Sequence, residues 1–289
     1  MKKMICLLLT LALACGIFAG CSKEKETEKL VIGIVPEESP STVIKNNTGL
    51  KNYLEEYLGV EVELEVSTDY SSMMEAMRKG HIDVGMFGPM SYVLLKQKMP
   101  DVVPFAAKVS NGSSTYESIF VVNNESGIKT LDDVTGKNVA FSDAASTSVI
   151  IWEGKLKDEA GLIAEEDYSP QFVGGHDAVM TAVQNGNAEA GGTTRPYYEK
   201  MVEEGTIDPE KVQILSTSEK VFLPNYPWVM RPDMDKKLAE KIKNAFYDLD
   251  DKEVLEALKA DKFVEAKDSD FDSIRAGIET LGIDLESMQ

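Results

Sequence analysis

Three consecutive hydroxyl side chains lie where a predicted strand leads into a predicted helix. Ser146, Thr147 and Ser148 follow the strand predicted at 138–141 and open the helix predicted over 147–159. The first turn of a helix leaves backbone N–H groups without intrahelical acceptors and carries the positive end of the helix dipole. With three hydroxyls, these groups form a compact donor set for a tetrahedral oxyanion. The alternative is that Ser146 only caps the helix.

A histidine lies at a second junction of the same kind. Gly174 and Gly175 precede His176, and glycines at such a position allow the backbone to approach a ligand closely. The imidazole can donate a hydrogen bond from one ring nitrogen, or from both when it is protonated. The alternative is a surface histidine beside a glycine turn. The other histidine, His81, has no such neighbours, and we expect it to be solvated.

The elements that position these residues alternate along the chain. From residue 30 onward, short β-rich stretches such as 30–35 alternate with helical stretches such as 50–58. This alternation is typical of strand–helix units with a largely parallel sheet. A turn-rich segment at 110–115 separates two such series. The pattern and the chain length together predict two α/β lobes.

Composition excludes one class of partner. The 289 residues are 43% hydrophobic, enough for a sizeable core, and contain 30 Lys and Arg against 49 Asp and Glu, a net charge of −19. Proteins that hold nucleic acid by its phosphates need an excess of basic residues. We therefore exclude nucleic acid binding. A chain this acidic binds an anion only where local donors outweigh the overall field.

Residues 1–20 are predicted to be a signal peptide. Two lysines precede the uncharged stretch 4–20, as in secretory leaders. The segment 18–21, Phe-Ala-Gly-Cys, resembles the lipobox of bacterial lipoproteins, which implies a lipid on Cys21. Two alternatives remain: a weaker lipobox match that ends at Cys15, and an uncleaved membrane helix, for which the uncharged stretch is short.

Cysteine and histidine counts limit the available chemistry. All three cysteines lie within the first 21 residues, and the chain has two histidines. After cleavage no disulfide can form, and a histidine- or cysteine-based metal centre is excluded. Ser146, His176 and Asp177 are residue types found in nucleophilic catalysis, but no G-x-S-x-G motif is present. A serine-type hydrolase is therefore a remote alternative, and we predict no enzyme activity, cofactor or metal.

The order of several segments resembles a known family. Between residues 30 and 263 the chain resembles the phosphate, phosphite and phosphonate substrate-binding proteins of ABC importers. The resemblance rests on segments 33–37, 68–70, 83–88, 116–118, 146–148, 174–177 and 224–228.

The resemblance implies an α/β fold of the type II periplasmic-binding-protein class. Each lobe would be a mostly parallel sheet flanked by helices, and a two-stranded hinge near 109–118 and 215–224 would let the lobes close on a ligand. The implied divisions are a signal peptide (1–20), a flexible tether (21–29), the first part of lobe 1 (30–112), lobe 2 (113–220), and the second part of lobe 1 with C-terminal helices (221–289).

The resemblance also implies which side chains bind the ligand. The Ser-Thr-Ser motif of the family corresponds to residues 146–148, its ligand-facing histidine to His176, and its two cleft tyrosines to Tyr70 and Tyr116. These groups would hold the oxygens bonded to phosphorus. Charge-assisted hydrogen bonds of this kind contribute about 1.5–3 kcal/mol each.

The chain departs from members of the family that bind aminoethylphosphonate. Those members place carboxylates where this chain has 191–196 and 225–227, which contain none. An ammonium buried without a partner costs several kcal/mol. We therefore expect a ligand without an amine, namely phosphite, methylphosphonate or phosphate, with aminoethylphosphonate less favoured. Tyr226 would pack on the small substituent.

Four more side chains have expected roles in this site. Thr194 is expected at the cleft. Arg195 would add a cationic donor there, although a solvated arginine at a helix start is the alternative. Glu37 or Asp177 would accept a proton from the ligand, which excludes anions such as sulfate that carry no proton to donate.

The resulting prediction is a lipid-anchored binding protein on the extracytoplasmic face of a bacterial membrane. It would act as a monomer, capture a small phosphorus oxyanion and deliver it to the transmembrane subunits of an ABC permease. Three alternatives remain: a receptor for another small anion such as a sulfonate or nitrate, a receptor that feeds a sensor, and a purely structural surface lipoprotein.

Overall fold

The computed structural model describes residues 29–110, 112–218 and 225–281, and the predicted signal peptide and Cys21 lie outside them. The first described segment alternates strands with helices. Its elements are β1 (Lys29–Ile34), α1 (Pro40–Leu58), β2 (Glu61–Val66), α2 (Tyr70–Arg78), β3 (Val84–Met86), α3 (Pro89–Lys98) and β4 (Val103–Val109).

The chain then crosses to a second sheet and later returns to the first. The second lobe contains β5 (Ser118–Asn123), β6 (Asn138–Phe141), α4 (Thr147–Ala160), β7 (Ser169–Phe172), α5 (His176–Gln184), β8 (Ala190–Thr194), α6 (Arg195–Glu203) and β9 (Val212–Thr217). The returning segment contains β10 (Asn225–Met230), α7 (Lys236–Asp248), α8 (Lys252–Ala257), β11 (Lys262–Glu265) and α9 (Asp272–Leu281).

The eleven strands in the described residues form two sheets, which confirms the predicted two-lobed α/β fold. The strand order is β11-β4-β10-β3-β1-β2 in the first sheet and β7-β6-β8-β5-β9 in the second. The chain crosses between the sheets twice, from β4 to β5 and from β9 to β10. The exact divisions at 112 and 220 stay predictions.

The sheets are mixed, which corrects the expectation of mostly parallel sheets. β1 pairs in parallel with β2 and β3, and β6 pairs in parallel with β7 and β8. All pairings of β4, β5 and β10 are antiparallel. These strands flank the crossings, where the chain leaves one sheet and returns to it without a strand–helix–strand unit.

The sequence analysis did not predict β4, β11 or the first half of α1. β4 contains Pro104, which opposes Val229 at a register irregularity, and proline in a strand normally argues against a strand. α1 begins at Pro40, and its N-cap Ser39 accepts a hydrogen bond from the Thr42 N–H. Polar residues in this first half hide the periodicity; Asn47 is buried and donates to the Val43 carbonyl at 2.9 Å.

Glycines in β8 allow the helices of the second lobe to lie close to its sheet. A Cβ on Gly191 would lie 2.7 Å from Val179 Cγ1 in α5, and a Cβ on Gly192 would lie 2.8 Å from Trp152 Cδ1 in α4. Both distances are shorter than real carbon contacts. The close packing fixes the beginnings of α4 and α5 relative to the sheet. Within the described ranges, no helix has the length and apolar character to cross a membrane.

Candidate functional site

Three helices of the second lobe begin at one edge of its sheet. The parallel strands β7, β6 and β8 are neighbours, and α5, α4 and α6 follow them along the chain. Carboxyl ends of parallel strands meet at the same edge, where ligands of open α/β sheets bind. The N-cap residues Ser146, Gly175 and Thr194 make no side-chain cap hydrogen bond. The positive ends of three helices therefore lie at this edge without side-chain caps from their N-cap residues.

The hydroxyl residues at the start of α4 are buried between the lobes. Ser146, Thr147 and Ser148 are each at most 2% exposed. Ser146 Oγ lies 3.0 Å from Ser148 Oγ, and Thr147 Oγ1 accepts a hydrogen bond from the Met90 N–H of the first lobe at 3.1 Å. The predicted motif thus lies against α3 and is shielded from solvent.

The first lobe presents the corresponding edge of its own sheet. Glu37, Tyr70 and Gly88 follow the parallel neighbours β1, β2 and β3. The Tyr70 N–H donates to Asp143 Oδ2 of the second lobe at 3.3 Å. A Cβ on Gly88 would lie 3.6 Å from both Thr147 Oγ1 and Tyr70 Cε1, so the Tyr70 ring approaches the hydroxyl motif. The edges of the two sheets therefore face each other across the cleft.

His176 is fully buried and links the two lobes. Its N–H donates to the Glu37 carbonyl at 2.8 Å. Nδ1 lies 3.2 Å from Thr193 Oγ1, and Nε2 lies 3.4 Å from the Tyr226 hydroxyl. Burial lowers the pKa of the imidazole to about 3, assisted by the positive charge of Lys259. The imidazole is therefore neutral at physiological pH, and its position is incompatible with the surface histidine considered above.

Two tyrosines near the chain crossings between the sheets complete this side of the cleft. The rings of Tyr116 and Tyr226 lie 6.0 Å apart, and burial raises the pKa of both hydroxyls well above the usual range. Tyr226 has a φ of 29° and lies at a register shift between β10 and β4. A positive φ is costly for a bulky residue, and here it accompanies the approach of the phenol to His176. Both hydroxyls remain protonated donors.

Glu37 is a buried carboxyl group with one free oxygen. Oε2 accepts a hydrogen bond from the Tyr197 hydroxyl, whereas Oε1 has no hydrogen-bond partner in the described part of the chain. Burial raises the pKa of Glu37 to about 7, against the lowering effect of Lys108 and Lys259. The free oxygen can therefore accept or donate a proton near neutral pH.

Asp177, the other predicted proton acceptor, is occupied by backbone groups. Oδ2 accepts from the Ser39 N–H at 3.1 Å, and Oδ1 accepts from the Ala178 N–H at 2.9 Å. Its carboxylate connects the beginnings of α5 and α1 across the cleft. Of the two carboxyl groups, Glu37 is the one with an oxygen left for a ligand.

Arg195 corrects one expectation, because its guanidinium is not a free donor at the cleft. Nε lies 2.6 Å from Glu117 Oε1 in an ion pair, and Nη2 donates to Thr217 Oγ1 at 3.2 Å. The neighbouring Thr194 differs: its Oγ1 is buried and has no partner within the described ranges. Thr194 therefore lines a cavity together with Tyr116 and Tyr226, whereas the guanidinium of Arg195 is held by Glu117 and Thr217.

Sequence reasoning missed four residues beside this group. Lys108, Tyr197 and Lys259 line two adjoining cavities, and Glu38 lines one of them. The other cavity, of about 90 Å³, is also lined by Tyr116, Thr194 and Tyr226. Lys108 lies in β4 and Lys259 between α8 and β11. No local pattern marks them, because they meet only through the pairing of two strands distant in sequence.

The arrangement favours oxyanion binding over nucleophilic catalysis. A catalytic serine needs a base within hydrogen-bond reach, but the two ring nitrogens of His176 face Thr193 and Tyr226. Among the described residues, no cluster of three or more His, Cys, Asp or Glu side chains is arranged to hold a metal ion. Buried hydroxyls and helix N-termini instead supply donors without a charged side chain of their own.

Comparison with known proteins agrees with this geometry. Residues 32–271 match the family described as the periplasmic substrate-binding protein of the phosphonate ABC transporter. The chain is 29% identical over 227 residues to the phosphate-import protein PhnD of Mycolicibacterium smegmatis, covering 73% of this chain and 71% of that protein.

Two further proteins extend the comparison. The chain is 26% identical over 244 residues to the phosphonates-binding periplasmic protein of Escherichia coli, covering 81% of this chain and 71% of that protein. PhnD1 of Prochlorococcus marinus, solved in complex with methylphosphonate, has the same fold. It superposes with a TM-score of 0.80 at 20% identity, covering 89% of this chain and 99% of that one.

Proposed function

The chain belongs to the phosphonate family of ABC-transporter periplasmic substrate-binding proteins, and we propose that its ligand is a small phosphorus oxyanion without an amine. Phosphite, methylphosphonate and phosphate meet this description. The protein would hold the anion between its lobes and deliver it to the transmembrane subunits of an importer. Members of this family are the extracytoplasmic substrate-binding components of ABC transporters.

One observation carries the proposal: the starts of α4, α5 and α6 meet without side-chain caps. The first-turn N–H groups of a helix need acceptors. Those of His176, Ala178 and Arg195 have protein acceptors, and a tetrahedral oxyanion would supply acceptors for those at the start of α4. The hydroxyls of Tyr116 and Thr194 are also buried without protein partners in the described segments. Such groups are costly to bury, so a ligand that accepts their hydrogen bonds would stabilise the closed lobes.

Glu37 supports a ligand that carries a proton. Its Oε1 lacks a partner among the residues described, and burial raises the pKa of the carboxyl group to about 7. The monoanions of phosphate, phosphite and methylphosphonate lose a further proton near neutral pH, so they can share that proton with such a group. Sulfate and nitrate carry no proton at this pH, so the carboxylate would repel them.

The ligand must enter through separation of the lobes. Ser148 and His176 are fully buried, and hydrogen bonds join His176 to Glu37 and Thr147 to Met90 across the cleft. The two chain crossings between the sheets are the only covalent connections in the described topology, which is suited to hinge closure. Thr147, Ser148, His176, Tyr70 and Tyr116 are the proposed ligand contacts, with Ser146, Thr194 and Tyr226 beside them.

A thermal-shift panel tests this proposal. Phosphite, methylphosphonate, phosphate, aminoethylphosphonate, sulfate and nitrate are each added to the purified full chain in detergent. Ligand at a hundred times its Kd stabilises a protein by about 2.7 kcal/mol, so the three amine-free phosphorus anions should raise the melting temperature. Stabilisation by nitrate or sulfate alone would contradict the proposal, and stabilisation by aminoethylphosphonate alone would contradict the exclusion of an amine.

We also propose that a lipid on Cys21 anchors the protein to the membrane. Cys21 lies outside the described residues, and the support is the sequence Phe-Ala-Gly-Cys at 18–21. The Cys21→Ser variant should lose incorporation of a radiolabelled fatty acid in cells. Label that persists in this variant would contradict the assignment, and the matched Cys15→Ser variant should remain labelled.

A further inference from the structure

The cavity of about 90 Å³ beside the candidate site is lined by three polar groups that have no hydrogen-bond partner in the described residues. They are the Tyr116 hydroxyl, Thr194 Oγ1 and Lys259 Nζ, each buried and without a hydrogen bond within the described chain. All three groups carry a hydrogen that a ligand could accept. A water molecule needs about 10–15 Å³ of such space, so the cavity has room for a substituent of several non-hydrogen atoms.

Two lysines give this cavity its charge. Lys259 Nζ lies 4.0 Å from the centre of the Tyr197 ring, and Lys108 Nζ lies 5.2 Å from the centre of the Tyr226 ring. Burial lowers the pKa of both ammonium groups, that of Lys259 to about 8. With a pKa of about 8, Lys259 is largely protonated at neutral pH.

The fold holds both lysines in place. β11 pairs with β4 so that Phe263 opposes Lys108, which brings the loop before β11 to the end of β4. Ser110 Oγ donates to the Lys259 carbonyl at 2.5 Å, and Lys108 Nζ lies 3.4 Å from the Leu258 carbonyl. Lys259 itself has a φ of 52°. This conformation is uncommon for a non-glycine residue, and here it turns the side chain toward the cleft.

The neighbouring acidic groups are mostly matched by other cations. Glu38 forms an ion pair with Lys200 at 2.6 Å and lies 3.9 Å from Lys259. Glu117, the one carboxylate among the described residues that line the 90 Å³ cavity, is paired with Arg195 at 2.6 Å. Glu37 faces Lys108 and Lys259 and is partly neutral near pH 7. The cavity therefore presents donors and positive charge to a ligand.

The cavity also adjoins the oxyanion group. Tyr116, Thr194 and Tyr226 line it, and the Tyr226 hydroxyl reaches His176. We propose that this cavity is a subsite for a negatively charged substituent, so that the ligands include phosphonates with a carboxylate a few bonds from phosphorus. This inference rests on the proposed function. The subsite also gives a physical reason why the proposed ligand has no amine, because the lysines would repel an ammonium group on the ligand.

Calorimetric titration of the full chain in detergent tests the subsite with three probes of similar size. Phosphonoacetate carries a carboxylate, ethylphosphonate a neutral group and aminoethylphosphonate an ammonium. We expect phosphonoacetate to bind at least tenfold more tightly than ethylphosphonate, and aminoethylphosphonate to bind more weakly than both. The readout is a ratio of dissociation constants within one protein, so a general loss of stability does not alter it.

Variants assign the preference to the lysines. Lys259→Gln and Lys108→Gln should each reduce the ratio of phosphonoacetate to ethylphosphonate affinity by at least threefold. The matched variant Lys129→Gln, which changes an exposed lysine of the second lobe, should retain the ratio. Lys108→Glu should shift the preference toward aminoethylphosphonate. Melting of each unliganded variant verifies that it folds.

The outcomes separate the two proposals. Binding of ethylphosphonate or methylphosphonate without a preference for phosphonoacetate would overturn the subsite and leave the proposed function intact. A preference that survives in both lysine-to-glutamine variants would also overturn it. If none of the phosphorus anions binds, the proposed function fails and the subsite fails with it.

Discussion

The two lobes follow the same structural rule but use their helices differently. Each places the carboxyl ends of three adjacent parallel strands at the cleft. In the first lobe, Ser39 caps α1 and Asp69 caps α2, the latter by accepting from the Ser72 N–H at 2.6 Å, whereas α3 has no side-chain cap. In the second lobe, none of the three helices has such a cap. The first-turn N–H groups of His176, Ala178 and Arg195 already have protein acceptors, so the backbone donors left for a ligand are mainly those at the start of α4.

The difference indicates a division of tasks across the cleft. The second lobe supplies hydroxyls, helix N-termini and the neutral His176, which suit an oxyanion of any substituent. The first lobe supplies ionisable groups, namely Glu37, Lys108 and Lys259, which respond to the proton and the substituent of the ligand. Affinity for the phosphorus group should thus depend mainly on the second lobe, and discrimination between ligands mainly on the first.

The largest effect is expected when a hydrogen-bond donor of the second lobe is removed. Thr147→Val removes one hydroxyl with almost no change in side-chain shape. A hydrogen bond to a charged group contributes about 1.5–3 kcal/mol, and 1.4 kcal/mol corresponds to tenfold in affinity. Calorimetric titration should therefore show methylphosphonate binding weakened by roughly ten- to a hundredfold.

The matched control for this change is Thr48→Val, which alters an exposed threonine of α1. It should bind methylphosphonate like the unaltered protein. Equal dissociation constants for the two variants would remove Thr147 from the site and with it the contrast between the lobes.

A smaller effect is expected on the pH dependence of stability, to which Glu37 of the first lobe and His176 of the second contribute differently. The pKa of Glu37 is raised from 4.5 to about 7 in the folded chain, so its contribution to stability is present below pH 4.5 and is lost as the pH rises to about 7. The pKa of His176 is lowered from 6.5 to about 3, so its contribution is present above pH 6.5 and is lost toward pH 3. The two groups act with opposite sign.

Urea unfolding of the unliganded protein between pH 4 and 8 measures both contributions. In the unaltered protein, Glu37 lowers the free energy of unfolding by at most about 3 kcal/mol as the pH rises from 4.5 to 7. The Glu37→Gln variant should not show this decrease. His176→Gln should reduce the loss of stability on acidification below pH 6.5. Glu61→Gln, a change at an exposed position of β2, should leave the profile unaltered. Parallel profiles for all three variants would show that neither group is buried in the unliganded protein.

The sequence predicted the cleft-facing residues of the second lobe more fully than those of the first, because the sequence patterns that mark them are local. The motif at 146–148 and His176 each lie directly at a strand-to-helix junction, so position along the chain is enough to place them at the sheet edge. Arg195 lies at a junction as well, but position there does not fix the direction of a long side chain. Its partner Glu117 comes from the start of β5, and that ion pair is a tertiary contact.

The cleft-facing lysines of the first lobe are placed by contacts between segments that are distant in sequence. Lys108 and Lys259 are neighbours because β4 and β11 pair in antiparallel register, and neither strand was predicted. Pro104 weakens the strand pattern of β4, and β11 has only four residues. The unusual backbone of Tyr226 and Lys259 likewise has no counterpart in a local sequence pattern.

The sequence by itself determined the alternation of strands and helices, the two lobes and the donors at the beginnings of α4 and α5. Periodicity and the chemistry of helix termini are properties of adjacent residues, and they survive without knowledge of the fold. Only the tertiary structure decided the charge and protonation of the site. The pKa of Glu37 and His176 depends on burial, and burial is produced by the closure of two lobes whose facing residues lie far apart in the chain.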